Sequence, residues 1–193
     1  MSDAYKHVWD ELHRVLWVIP EKYVEAVLVL HEKLDGKSIS WSLSGNLAEA
    51  LRTVQVEPEC IEIVSSKRDA ERIFEAVGEF QPQPLVFKTQ LLSRNAVIGE
   101  KEYPVRIRSH VFDFSVKGIK VIVHGDLQYQ VGDWEWGDVF TFDPEYVYVV
   151  GKKTAITPLA VKCELYSSLG WTDRVEKINH VLKRPLHHLN QQS

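Results

Sequence analysis

Apolar residues recur along this chain at two periods, and the switches between them mark its elements. From 4 to 18, Tyr5, Val8, Trp9, Leu12, Val15 and Leu16 fall at helical spacing, which predicts an amphipathic helix. Pro20 ends that helix and opens a second over 20–35, where Tyr23, Val27, Leu30 and Leu34 share a stripe and Asp35-Gly36 closes the run. Each keeps a wet face, with Glu11 and Arg14 on one and Glu25 and Glu32 on the other. Both are expected to pack on a sheet as scaffold. The period then drops to two: Ile39, Trp41 and Leu43 alternate with Ser40, Ser42 and Ser44, a strand by pattern. A short helix over Leu47–Val54 and a strand over Cys60–Val64 follow, with Cys60 and Glu62 on one strand face and Ile61 and Ile63 on the other.

Ser65 is placed to cap the next helix, whose stripe is Ala70, Ile73, Phe74 and Val77 and which Gly78 stops. After the loop Gln81–Pro84, Leu85–Phe87 is a short strand candidate. From Tyr103 the pattern is β. Arg106, Arg108 and His110 alternate with Val105, Ile107 and Val111, Lys117-Gly118 turns the chain, and Ile119–Leu127 returns, which predicts a hairpin. Further strands are expected over Leu127–Gln130 and Glu145–Val150, separated by the turn around Trp134 and Trp136. The end is helical again. Pro158 opens a helix through Leu159, Cys163 and Tyr166, and Gly170 ends it. Thr172-Asp173 caps a second helix through Val175, Ile178, Val181 and Leu182, stopped by Pro185, and His187-His188 begins a frayed tail.

Composition narrows the class without changing this order. With 193 residues, 45% hydrophobic and 26% charged, the chain is long enough for one globular domain with a real core. It divides into N-terminal helices over 1–35, a sheet core over 38–150 and C-terminal helices over 155–185. A net charge of -4 argues against nucleic acid as a general partner. The two cysteines, Cys60 and Cys163, are far apart and make no metal pair, which suits a reduced, cytoplasmic setting. Asp3, Asp10 and Glu11 interrupt the N-terminus, so no secretory signal is expected. No apolar run reaches the roughly 20 residues of a membrane span.

The chemistry-bearing stretch is Ser40–Val64. A strand rises to Ser44-Gly45-Asn46, a helix opens there, and the next strand carries Cys60 and Glu62 at i,i+2. The first free N–H groups of a helix attract anions, so Ser44, Gly45 and Asn46 are candidates to hold phosphate. Arg106 and Arg108 are further phosphate candidates, because guanidinium forks match its oxygens; a solvated sheet face is the competing account. Cys60, Glu62 and His124 together offer zinc-type ligands, against which Cys60 reads as small buried filler and His124 as a half-buried polar residue. Trp134 and Trp136 are either base-stacking residues or a cover for a sheet edge.

Three stretches in order, Leu43-Ser44-Gly45-Asn46-Leu47-Ala48, Pro58-Glu59-Cys60-Ile61-Glu62-Ile63 and Gly118-Ile119-Lys120-Val121-Ile122-Val123-His124-Gly125-Asp126, resemble the DNA-polymerase-β-like nucleotidyltransferase superfamily, in particular its small stand-alone archaeal members. Arg106-Ile107-Arg108-Ser109 and Thr157-Pro158-Leu159 are also similar, and the likeness spans about 38–182. It implies an α/β (α+β) nucleotidyltransferase fold with a mixed sheet, N-terminal helices and a C-terminal helical pair. In that family three carboxylates hold two divalent cations that clamp an NTP. The first falls here on Cys60, the second on Glu62 and the third on Ile122. A thiol is a poor magnesium ligand and isoleucine is none. The resemblance therefore implies a degenerate site: a nucleotide-binding, regulatory or interaction protein, with no resident metal and a possible protein partner at the C-terminal helices. The alternative is an active transferase using magnesium and an NTP, with Glu62 and Asp126 as its acids.

Overall fold

The computed structural model describes residues 19–183, so the helix expected over 4–18 and the His187-His188 tail lie outside the described residues. Helix α1, Glu21–Leu34, buries Tyr23, Val24, Ala26, Val27, Leu30 and Leu34, the stripe its spacing predicts. Strand β1 is Ser42–Ser44 and helix α2 is Gly45–Leu51. The strand is shorter than the alternation from Ile39 suggested. The helix starts two residues earlier than expected, because Gly45 takes a φ of +59° and turns strand directly into helix. It ends before Val54, where Thr53 is left-handed and the Val54 N–H returns to the Glu49 carbonyl.

Strand β2, Ile61–Ser65, begins after Cys60, which sits in a bend rather than on the strand. Helix α3, Lys67–Ala76, is capped by Ser66 and not Ser65: the Ser66 hydroxyl oxygen accepts from the Asp69 N–H at 3.1 Å. A 3₁₀ turn, Gly78–Phe80, follows it. Strand β3 is Val86–Leu91, longer than Leu85–Phe87. A small hairpin of β4, Ala96–Ile98, and β5, Lys101–Tyr103, was not legible in the pattern. The large hairpin is β6, Val105–Val116, and β7, Ile119–Val131, so Leu127–Gln130 continues β7 instead of forming a strand of its own. Strand β8, Glu145–Val149, pairs with β9, Lys152–Ile156, which the alternation also missed. Helices α4, Leu159–Ser168, and α5, Thr172–Leu182, close the described chain; Thr172 is already helical, with Trp171 in the cap position.

Seven strands form one mixed sheet in the order β3-β6-β7-β2-β1-β9-β8, with β4-β5 apart. The pairs β2/β7 and β1/β9 are parallel and the others antiparallel. Helices α1, α2 and α3 pack Leu30, Leu47 and Ile73 against Leu43, Ile61, Ile63, Phe112, Val121 and Val123, the main core. The opposite face carries Ser44, Glu62 and Ile122 in register across β1, β2 and β7. That face is the one on which the resemblance puts its acids.

A bulge in β7 changes what this face displays. Arg108 pairs with Gln128 and His110 with Gly125, so Asp126 and Leu127 together oppose Ser109. Asp126 has a φ of +52°, and its carboxylate accepts the Lys67 N–H at the start of α3 at 2.9 Å. Gly125 makes room for this: a Cβ there would come within 2.9 Å of Lys67 Cα and of Ala70 Cβ. Simple alternation would put Ile122, His124 and Asp126 on one face, and the bulge breaks it after His124. Replacing Asp126 by alanine removes a cap and leaves a left-handed non-glycine residue, at an expected cost of about 1–2 kcal/mol. Asp126→Asn, which keeps the acceptor and tolerates that backbone, is expected to recover most of it in denaturant titrations.

Candidate functional site

The turn after β1, the outer face of β2 and β7 and the helices α4 and α5 enclose a cavity of about 270 Å³. Ser44, Gly45 and Asn46 line one side and Glu62 the floor, while Lys162, Tyr166 and Arg174 close it from the helices. Leu127, Tyr129, Phe140 and Trp171 supply apolar and aromatic wall. Gly45 is required where it stands. Its φ is positive, and a Cβ would land on the Glu62 carboxylate, so the turn and the β2 acid can be this close only without a side chain.

The helices are tied to the turn through Glu49, a fully buried residue of α2. Its carboxylate accepts from Lys162 Nζ at 3.0 Å, from the Tyr166 hydroxyl at 2.7 Å and from Arg174 Nη2 at 2.6 Å. Lys162 also donates to the Gly45 carbonyl at 2.6 Å, and Arg174 to Asn46 Oδ1 at 2.8 Å. The Asn46 amide group in turn donates to the Glu57 carbonyl at 2.9 Å. Asn46, a phosphate candidate in the turn, has its side chain engaged at both ends. Glu49, Lys162 and Arg174 were not singled out in the sequence. A carboxylate between Ala48 and Ala50, in a short helix whose other residues from Leu47 on are apolar, was the available signal, because such a residue is buried only with partners.

Burial raises the Glu62 carboxyl above its ordinary range, with Lys162 opposing and Glu49 adding to the rise. Burial likewise lowers Lys162, with Glu49 opposing, and raises the Tyr166 and Tyr129 hydroxyls. The Cys60 thiol is pushed up to about 11, by burial first and then by Glu62 and Glu59. It is a neutral neighbour of the site, its sulfur 4.0 Å from Glu62 Oε1.

The other predicted residues separate. Ile122 sits beside Glu62 in the β2/β7 register and offers no ligand atom. Asp126 lines a different, larger cavity of about 650 Å³, with Trp41, Asp69 and Tyr146. Arg106 and Arg108 do not line the smaller cavity. They pair along β6 and β7 with Gln130 and Gln128, Arg106 donates to the Gly132 carbonyl at 2.6 Å, and the Arg108 guanidinium lies 4.4 Å from the Trp136 ring centre. His124 reaches the cavity wall, but its Nδ1 is 2.9 Å from the Ser109 hydroxyl. Among the described residues no three of His, Cys, Asp and Glu gather as a metal-holding group. The donor set at Glu62 thus does not fit a pair of hard divalent cations, which need several converging oxygens.

This fold has solved counterparts. A proposed nucleotidyltransferase from Thermotoga maritima superposes with a TM-score of 0.60 at 24% identity, over 85% of this chain and 94% of its own. The chain has a nucleotidyltransferase fold. Two more distant structures align at TM-scores of 0.45 and 0.46: the lincosamide antibiotic adenylyltransferase LnuA with lincomycin bound, at 11% identity over 84% of this chain and 98% of that one, and ANT(2")-Ia in complex with adenylyl-2"-tobramycin, at 7% over 82% and 87%. No family model and no curated protein sequence matches. Among the described residues no helix is long and apolar enough to cross a membrane.

Two outcomes follow for the nucleotidyltransferase fold as built here. Glu49→Ala leaves Lys162 and Arg174 without their buried carboxylate and is expected to cost about 3–5 kcal/mol in chemical denaturation. His124 is held down to about 4, chiefly by burial and secondarily by Lys88, from an ordinary 6.5. Its imidazole therefore stays neutral in the fold after the unfolded chain has begun to protonate. Stability is complete above pH 6.5 and falls as the pH drops towards 4, by about 2 kcal/mol between pH 7.5 and 5. His124→Gln should flatten that slope in urea melts.

Proposed function

We propose that this protein is a nucleotide-binding protein of the nucleotidyltransferase fold whose transfer chemistry has been lost, so that it acts through binding, as a regulatory or interaction component. One observation carries the reading: a single cavity brings together the Ser44-Gly45-Asn46 turn, Glu62 and the cations Lys162 and Arg174. Of the three family positions, the cavity lining holds an acid at one, Glu62.

The chemistry of two-metal transfer explains why this matters. A divalent pair would supply charge neutralisation at the triphosphate and activate the attacking hydroxyl, and it needs carboxylates converging from both strands. Here β2 offers Glu62, while the facing β7 position is Ile122 and the next acid, Asp126, serves as a helix cap. What the chain's own residues offer instead is an anion site. Lys162 and Arg174 lie on one side of it, and aromatic rings of Tyr129, Tyr166 and Trp171 are placed to meet a base or sugar.

The alternative, a working transferase with Glu62 and Asp126 as metal ligands, requires the β7 bulge to reverse so that Asp126 leaves Lys67. Calorimetry separates the two. Nucleotide binding is expected to persist in Glu62→Gln, which keeps the shape of the buried carboxyl and removes its charge. Heat from MgATP that disappears in Glu62→Gln, together with release of pyrophosphate by the unmutated chain, would instead establish metal-dependent transfer. No heat from any nucleotide would leave a pure interaction subunit.

A further inference from the structure

The cavity is small and its cations are already in place, and both facts bear on the ligand. About 270 Å³ lies just below the roughly 300–1,000 Å³ of pockets that enclose drug-sized ligands. It has room for a base and sugar, with the phosphate towards its open side. The charge points the same way. Lys162 and Arg174 share the Glu49 carboxylate, Arg94 in the lining is paired with Asp173, and Glu62 is a further carboxylate on the floor. Bases and acids are thus close to balanced. A triphosphate, which transfer enzymes accommodate by bringing divalent cations, is the least suited ligand, and a singly phosphorylated one asks for the least added positive charge.

Arg174 adds an independent sign. Its Nη2 is committed to Asn46 and Glu49, while its Nε is buried and has no hydrogen-bond partner. A buried donor without an acceptor is costly, and this one belongs to a side chain that lines the cavity. A phosphate oxygen arriving beside the guanidinium would supply the missing acceptor after a small rotation of the side chain. The remaining wall suits a nucleoside: Tyr129, Phe140, Tyr166 and Trp171 are rings on which a base can stack.

Resting on the nucleotide-binding reading above, we infer that the cavity takes a nucleoside monophosphate without any divalent cation, with Lys162 and Arg174 in the charge-neutralising role that metal ions fill in transferases. Asn46 and Glu49 are positioning residues, since they hold the Arg174 guanidinium and Lys162 ammonium at the turn. Glu62 lines the floor as the other acid of the site. The failure of the donor set to fit two cations and the presence of buried Lys162 beside half-buried Arg174 are then one design.

Calorimetry of the full chain in EDTA with AMP, GMP, CMP and UMP, with inorganic phosphate, and separately with MgATP and MgGTP, tests this. At least one monophosphate is expected to bind in EDTA at least tenfold more tightly than either magnesium triphosphate and than inorganic phosphate. Arg174→Gln should weaken it at least tenfold. Leu165→Trp, which fills the cavity without touching a charge, should abolish it and decides the matter if Arg174→Gln does not fold. Tight binding of a magnesium triphosphate that EDTA removes would overturn the metal-free inference while leaving nucleotide binding intact. Inorganic phosphate binding as tightly as any monophosphate would overturn the nucleoside part, and binding that survives Leu165→Trp would place the ligand elsewhere. Absence of heat from every nucleotide would overturn both this inference and the reading on which it rests.

Discussion

The carboxylate of Glu49 sits in the interior of the protein and answers to Lys162, Tyr166 and Arg174 from two different helices. Everything that makes a cavity over the sheet depends on that one group. Helix α2 is only seven residues long and is anchored by its apolar side to the main core. Helices α4 and α5 form their own small core with Val54, Leu159, Tyr166 and Ile178. Glu49 joins these two bodies of packing where apolar contacts alone would leave an unspecified gap. A buried ion pair of this kind adds little net stability over a hydrophobic one, but losing one partner is severe. It therefore fixes where α4 and α5 stand, and with them the two cations that face Glu62.

A second constraint is the extra residue in β7. Regular alternation would have put the next acid after His124 on the same face of the sheet as Ile122, the neighbour of Glu62. The bulge turns Asp126 to the far end of the strand face, where it satisfies a donor at the start of α3, and presents Leu127 and Tyr129 to the cavity instead. On the proposed reading, β1 and β2 supply the frame, Gly45 and Glu62, while β7 sets no second acid beside them.

Most of the scaffold was legible because it rests on periodicity. The α1 stripe, the large hairpin and the two C-terminal helices follow directly from apolar spacing. The β1–Gly45–α2 turn was legible because a glycine between a strand and a helix has few other uses. Short elements with no period to read, β4, β5 and β9, were not. At the site, Ser44, Gly45 and Glu62 were identified from local pattern, whereas Lys162 and Arg174 lie more than a hundred residues away and meet the turn only through tertiary packing. Arg106 and Arg108 illustrate the reverse. Their alternation was read correctly, but the face they share carries them to Gln128, Gln130 and Trp136 and away from the cavity. The contact of Asp126 with Lys67 was not legible, because a bulge is invisible to a period-two argument.

The central claim is that this nucleotidyltransferase frame no longer assembles a divalent metal pair at Glu62. Anomalous diffraction at the manganese edge, from crystals grown with manganese and ATP, addresses it directly. No anomalous peak is expected at coordination distance from the Glu62 carboxylate. Two peaks about 3.5–4 Å apart bridged by Glu62, with Asp126 swung away from Lys67 to reach them, would contradict it.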